Sequence, residues 1–264
     1  MISLIYLYVA VAALVSLQCG LDAAHIDNSK LDNSLQPNVI PNPAPKRRLL
    51  RKFVHISEPL PETIRHVPGM TLEIECPVMG KPAPSVEWLK NGEPLNDFEE
   101  ETNEIMPAHP TSLARLTSKL ILTAPSNGDE YTCVATAGLK RTTSTTTVYN
   151  ENDEDEELLD IQKLLFKPAK PIITSFFNEV FQDMGTDIVL PCRVYSLTKS
   201  QALWQDPNDE VIYGDSGRIR VLPSGDLLIT NLRWSDMGTY TCTAKNMYGK
   251  ESVYTFLYPT KPLQ

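Results

Sequence analysis

The stretch Trp234-Ser235-Asp236-Met237-Gly238-Thr239-Tyr240-Thr241-Cys242 limits the folds open to this chain more than any other. An acid, a glycine, a tyrosine and a cysteine on alternate positions open a strand whose cysteine bridges to a facing sheet. The bridge needs a partner cysteine on the opposing sheet and a tryptophan packed over it. Cys192 lies 50 positions upstream of Cys242, and Trp204 stands 12 positions after Cys192. A weaker copy precedes them as Cys76, Trp88 and Tyr131-Thr132-Cys133, with spacings of 12 and 57. The chain is therefore an internal repeat of two β-sandwiches, all-β in class. Trp88, Trp204, Tyr131 and Tyr240 are the expected core anchors.

Four cysteines allow three connectivities in principle; the repeat selects Cys76–Cys133 and Cys192–Cys242. Each bridge closes a loop of some 50 residues, a constraint on the unfolded chain amounting to about 4 kcal/mol in the chain-entropy account. The fifth cysteine, Cys19, falls in an apolar, uncharged N-terminal stretch. Residues 1–20 read as a secretory signal peptide, and paired cysteines fit an oxidising compartment. No second apolar stretch resembles a membrane span or a GPI tail. The expected product is secreted, without a membrane anchor.

Residues 21–52 are polar, rich in Pro and Asn, and expected to be disordered. They end in Lys46-Arg47-Arg48-Leu49-Leu50-Arg51-Lys52. This run is a solvated basic tail, a contact for sulfated glycans, or a processing site after Arg51. The first sandwich spans residues 53–149. Leu72, Ile74 and Cys76 alternate inward, and Asn91-Gly92 signals a tight hairpin because both residues tolerate positive φ. Its corner departs from the second copy, with Asn127 at the Asp position and Asp129 at the Gly position. The Thr-rich stretch 141–148 has the composition of a half-exposed edge strand.

Residues 150–170 form the linker. Glu151, Asp153, Glu154, Asp155, Glu156, Glu157 and Asp160 supply seven of the negative charges behind the net −9. Leu158, Leu159, Ile161, Leu164, Leu165 and Phe166 follow at near-helical spacing, so a partly helical linker is expected. These residues either tuck against a domain or form an apolar platform for a ligand. The second sandwich spans residues 171–260. Ile188, Leu190, Cys192 and Val194 alternate inward. Asp236 is expected to pair with Arg218 or Arg220, and Tyr240 to supply the corner hydroxyl. Tyr254, Phe256 and Tyr258 alternate on the last strand and put three aromatics on one face.

Several function classes find no support. Net negative charge argues against a nucleic-acid partner. His25, His55, His66 and His109 are scattered, so no metal set has ligand spacing, and no cofactor loop or nucleophile motif occurs. The chain does not read as an enzyme. No Asn-x-Ser/Thr acceptor is present.

These motifs resemble two tandem immunoglobulin I-set domains. Residues 184–194, together with Val221-Leu222, Gly225-Asp226-Leu227-Leu228-Ile229, Trp234, Asp236-Met237-Gly238, Gly249-Lys250, Phe256 and Tyr258-Pro259, narrow the resemblance. They are similar to the neural/ectodermal development factors, secreted insect insulin-binding proteins with a signal peptide, two such domains and no anchor. The resemblance covers residues 54–260 and implies capture of insulin-like peptides or insulin-like growth factors, with antagonism of insulin signalling and growth. An insulin-like peptide exposes apolar surface, so its binder needs a complementary apolar patch. Leu158, Leu159, Ile161, Leu164, Leu165 and Phe166, with Tyr254, Phe256 and Tyr258, are the candidates. The competing class is a secreted adhesion or neuronal-development protein that binds cell-surface or matrix partners. Exposed edge strands are also expected to allow a homodimer by sheet extension.

Overall fold

A computed structural model describes residues 51–95, 107–150, 169–214 and 217–262. The signal-like stretch, most of the segment 21–52 and the linker residues 151–168 lie outside the described residues. The first half contains β1 (Phe53–Ile56), β2 (Thr63–His66), β3 (Leu72–Lys81), β4 (Ser85–Lys90), β5 (Glu93–Pro94), β6 (Leu113–Leu122), β7 (Asp129–Ala137) and β8 (Lys140–Asn150). The second contains β9 (Ile172–Asp183), β10 (Ile188–Leu190), β11 (Cys192–Tyr195), β12 (Gln201–Gln205), β13 (Ile219–Val221) and β14 (Leu227–Ile229). A 3-10 turn (Trp234–Asp236), β15 (Gly238–Asn246) and β16 (Gly249–Thr260) complete it.

Disulfides join Cys76 to Cys133 and Cys192 to Cys242. Trp204, Tyr131 and Tyr240 are buried, while Trp88 is half-buried and donates Nε1–H to Ser118 Oγ at 3.0 Å. Trp204 donates to the Gly225 carbonyl at 2.8 Å, and the buried Asp226 carboxylate accepts from the Cys192 N–H at 2.9 Å. The strands that carry the second bridge are thus pinned by polar contacts as well as by sulfur.

The two corners solve one geometric problem differently. In the second domain Gly238 adopts φ +145, and a Cβ there would lie 2.6 Å from Pro207 Cβ. Only glycine fits that position without displacing the proline ring. Arg218 clamps Asp236 through two bonds of 2.7 and 2.6 Å, and Tyr240 donates its hydroxyl to the Asp236 carbonyl at 3.1 Å. In the first domain Asp129 occupies the glycine position and instead reaches into the β4–β5 turn. It accepts from Asn91 Nδ2 at 3.0 Å, pairs with Lys90 at 2.8 Å and receives the Tyr131 hydroxyl at 3.3 Å. Asn91 and Gly92 there have φ 51 and 87, the double positive-φ turn that their sequence calls for.

The Thr-rich β8 is not an edge along its whole length. Its last four residues pair in parallel with β2, placing β8 inside the sheet β2-β8-β7-β4-β5. A larger difference concerns how the sandwiches are joined. A linker between separate domains leaves β6 and β9 as sheet edges. Instead they pair antiparallel, Leu113–Ser118 against Ser175–Phe181, with a bulge after Arg115. The result is one eight-stranded sheet, β1-β3-β6-β9-β16-β15-β12, with β11 also on β9. β9 is hydrogen-bonded on both sides, since β11 takes its first half and β16 runs parallel to its second half.

The composition of β9 suits this role, because twelve residues without Gly or Pro carry three phenylalanines and three β-branched aliphatics. Ala114 and Leu116 of β6 pack in the same buried cluster as Val180, Phe177 and Leu257 of the second domain. Polar contacts reinforce the seam. Thr117 Oγ1 donates to Asn178 Oδ1 at 2.8 Å and Thr111 Oγ1 to Asp183 at 2.7 Å, while Thr260 holds the same Asp183 carboxylate at 2.7 Å from within the second domain. β6 and β9, which would be free edges in two separate sandwiches, are therefore paired within one chain. Among the described strands, β1, β12 and the side strand β11 each have a single partner in the fused sheet.

Candidate functional site

Register across the fused sheet decides which side chains share its outer face, because residues paired directly point the same way. One row runs Met79–Arg115–Glu179–Phe256–Thr239 over β3, β6, β9, β16 and β15. The next carries Leu113, Phe181 and Tyr258. Tyr254 lies opposite Thr241 on the same face of β16. Both rows cross the junction, so neither domain alone could present them.

The apolar part of this face is open to solvent. Tyr254 is 64% exposed, Phe256 40% and Trp234 52%, and Met237 beside Trp234 is also exposed. Tyr258 is half-buried because Phe181 and Trp234 flank it, with ring centroids 5.5 and 5.8 Å away. The tilted Phe181 ring and the edge-on Trp234 indole hold the Tyr258 ring between them while leaving the indole open to a partner. The Trp234 ring is carried by the 3-10 turn that Arg218 and Asp236 hold rigid. That ion pair therefore has a second consequence, since it sets the height of the patch rim.

Charged groups bound the patch. Arg115 and Glu179 pair at 3.3 Å across the domain junction, both partly exposed, so this bridge adds register more than stability. Farther along the same face Lys119 lies 3.2 Å from Glu75 and 3.6 Å from Glu73. Burial pushes the Lys119 ammonium down, but the Glu75 and Glu73 carboxylates outweigh it and hold the group above its usual value. In the turn that carries Trp234, Asp236 holds the Arg218 guanidinium further up, against a smaller opposing effect of burial. Among the described residues no cluster of His, Cys, Asp and Glu could hold a metal ion.

The structure thus brings Tyr254, Phe256 and Tyr258 onto one face. It adds Phe181, Trp234, Met79, Leu113, Arg115 and Glu179, none of which the sequence marked as a site residue, although Trp234 stood out as part of the strand-opening motif. Glu179, Phe181 and Asp183 fall on one face of a strand by their spacing of two. Nothing in the sequence said which strand would lie beside it. Leu158, Leu159, Ile161, Leu164, Leu165 and Phe166 lie outside the described residues.

The immunoglobulin I-set domain family matches residues 54–149, and the immunoglobulin domain family matches residues 170–246. Neural/ectodermal development factor IMP-L2 of Drosophila melanogaster is 30% identical over 237 residues, covering 88% of this chain and 86% of that protein. The chain belongs to the neural/ectodermal development factor family. The crystal structure of neural ectodermal development factor IMP-L2 superposes with a TM-score of 0.66 at 28% identity, covering 80% of this chain and 96% of that one. Zwei Ig domain protein zig-3 of Caenorhabditis elegans is 30% identical over 199 residues, covering 73% of this chain and 76% of that protein. The shared architecture is two tandem immunoglobulin domains, all-β in class.

Proposed function

We propose that this chain is a secreted binding protein that sequesters insulin-like peptides and so antagonises insulin and growth signalling. The observation that supports this most is the aromatic face of the fused sheet, with Tyr254 and Phe256 exposed, in a chain of the neural/ectodermal development factor family. An apolar face of this kind, rimmed by Arg115, Glu179, Lys119 and Glu75, suits a partner with its own apolar surface. Secretion is supported by the two disulfides and the N-terminal apolar stretch. The linker leucines with Phe166 would extend the apolar contact. Burial of aromatic anchors at the centre of a sheet face also leaves the charged rim free to set orientation.

The test is calorimetric titration of the secreted protein with insulin or an insulin-like growth factor. The wild type is expected to bind with submicromolar affinity. Replacing Tyr254 and Phe256 by Ser should weaken binding at least about tenfold, because two anchors are lost at about 1 kcal/mol or more each. Their exposure means the fold should be unaffected, which circular dichroism checks. A second variant with Leu159, Ile161, Leu165 and Phe166 replaced by Ser apportions the contact between sheet and linker. No binding by a monodisperse, disulfide-bonded wild type to several such hormones overturns the proposal in favour of adhesion to a cell-surface or matrix partner.

A further inference from the structure

The hormone reading leaves the basic run unused, yet the fold adds cations to it from a distant part of the chain. Arg51 and Lys52 lead into β1, where Phe53 pairs with Lys81 and Val54 with Gly80 of β3. Lys140 and Arg141 open β8 immediately after the Gly138-Leu139 turn. Arg51, Lys52, Lys140 and Arg141 line one open recess with Phe53 and Val54 between them. All four cations are exposed, and among the described residues none has a carboxylate within ion-pair distance. Across the sheet Arg141 faces Thr136, which in turn faces Ser85. In a chain of net charge −9, with Lys90, Lys119 and Arg218 all paired to acids, four unneutralised cations around one recess are not a product of composition.

We propose that this recess binds a linear sulfated polysaccharide. Its cations come from two segments far apart in sequence and stand on both sides of a shallow opening. That layout suits an extended polyanion lying across the recess better than a compact anion enclosed by backbone amides. The two disulfides suit an oxidising compartment such as the extracellular space, where a sulfated glycan is a polyanion the recess could meet. The recess is also separate from the aromatic face. β1 and β16 stand four strands apart in the fused sheet, about 19 Å at the usual interstrand spacing. Glycan and hormone could therefore be held together, which would keep a sequestering protein near the cell surface.

The test uses the full secreted chain on immobilised heparin, with salt-dependent elution and equilibrium binding. The wild type is expected to stay bound at about 0.15 M salt. Lys140→Ala with Arg141→Ala should lower the slope of log affinity against log salt by about 1.5, the counterions displaced by two cations. Arg51→Ala with Lys52→Ala should do the same, and the quadruple variant should lose retention at about 0.15 M salt. Circular dichroism checks that these exposed substitutions leave the fold intact. Unchanged binding after Lys140→Ala with Arg141→Ala overturns the proposal and leaves only a basic tail. Equal binding to unsulfated hyaluronan overturns the requirement for sulfate. Stronger binding to phosphatidylserine vesicles than to heparin, led by the fully exposed Leu139 at the hairpin tip, replaces the glycan with a membrane surface.

Discussion

Val180 tests whether the fused sheet makes the two sandwiches one cooperative unit. It is fully buried, paired with Ala114 of β6 on one side and Leu257 of β16 on the other. Its methyl groups therefore touch both domains. Replacing it by Ala removes two carbons, about 1.6 kcal/mol of transfer free energy at about 0.8 per carbon. Incomplete collapse of the void brings the total to about 2 kcal/mol. Native-state hydrogen exchange read by mass spectrometry reports this for each strand, because the slowest amides exchange only through global opening. Peptides from β4 in the first domain and β12 in the second should each lose about thirty-fold in protection, the equivalent of about 2 kcal/mol. Val148→Ala, deep in the first domain, should lower protection in β12 by the converse route. Loss of protection in β12 with β4 unchanged would refute the coupling, leaving the β6–β9 pairing as a contact that opens without cost to either core.

Arg218→Met leaves the buried Asp236 carboxylate without its cation. The expected loss is about 3 kcal/mol, or about 9 °C in Tm by calorimetry for a unit of this size. Gly238→Ala drives a Cβ into Pro207 at a φ of +145, and should cost at least about 2 kcal/mol by urea unfolding. Burial alone pushes the Asp129 carboxyl up, but Lys90, Asn91 and the Ser126 N–H outweigh it and hold the group below its ordinary value of 3.8. A depressed carboxyl contributes stability above its unfolded value that is lost as pH falls through the folded one. The deficit of Lys90→Met should therefore be constant above about pH 4 and close on further acidification, as followed by urea unfolding across pH. A deficit that persists unchanged at the lowest pH would place the role of Lys90 in packing over Tyr131 instead of charge.

Local chemistry was legible because it is written in neighbours. Asn91-Gly92 forms its turn from backbone freedom alone, and Ile188, Leu190 and Cys192 face inward because alternation is a property of any strand. Corner chemistry was legible in the second domain, where Asp236, Gly238 and Tyr240 sit within five positions. It was only half legible in the first. Asp129 breaks the glycine pattern, and its compensation comes from Lys90 and Asn91, nearly forty positions away. The identity of the ion-pair partner, Arg218 and not Arg220, likewise waited on the fold: Arg218 stands just before β13 and reaches the Thr230 carbonyl and Asp236, whereas Arg220 donates to the Gly217 carbonyl.

By itself, then, the sequence determined that this chain forms two disulfide-bridged sandwiches and that Tyr254, Phe256 and Tyr258 share a face. Spacing, alternation and turn chemistry act over a few residues and need no knowledge of the rest of the fold. Only the tertiary structure decided that the sandwiches share a sheet, that Phe181 and Trp234 join the aromatic face, and that Lys140 and Arg141 meet Arg51 and Lys52. A strand edge offers the same unpaired N–H and C=O groups to any partner. Which edge meets which is settled by the shapes and buried surfaces of two finished domains, after local patterning has done all it can.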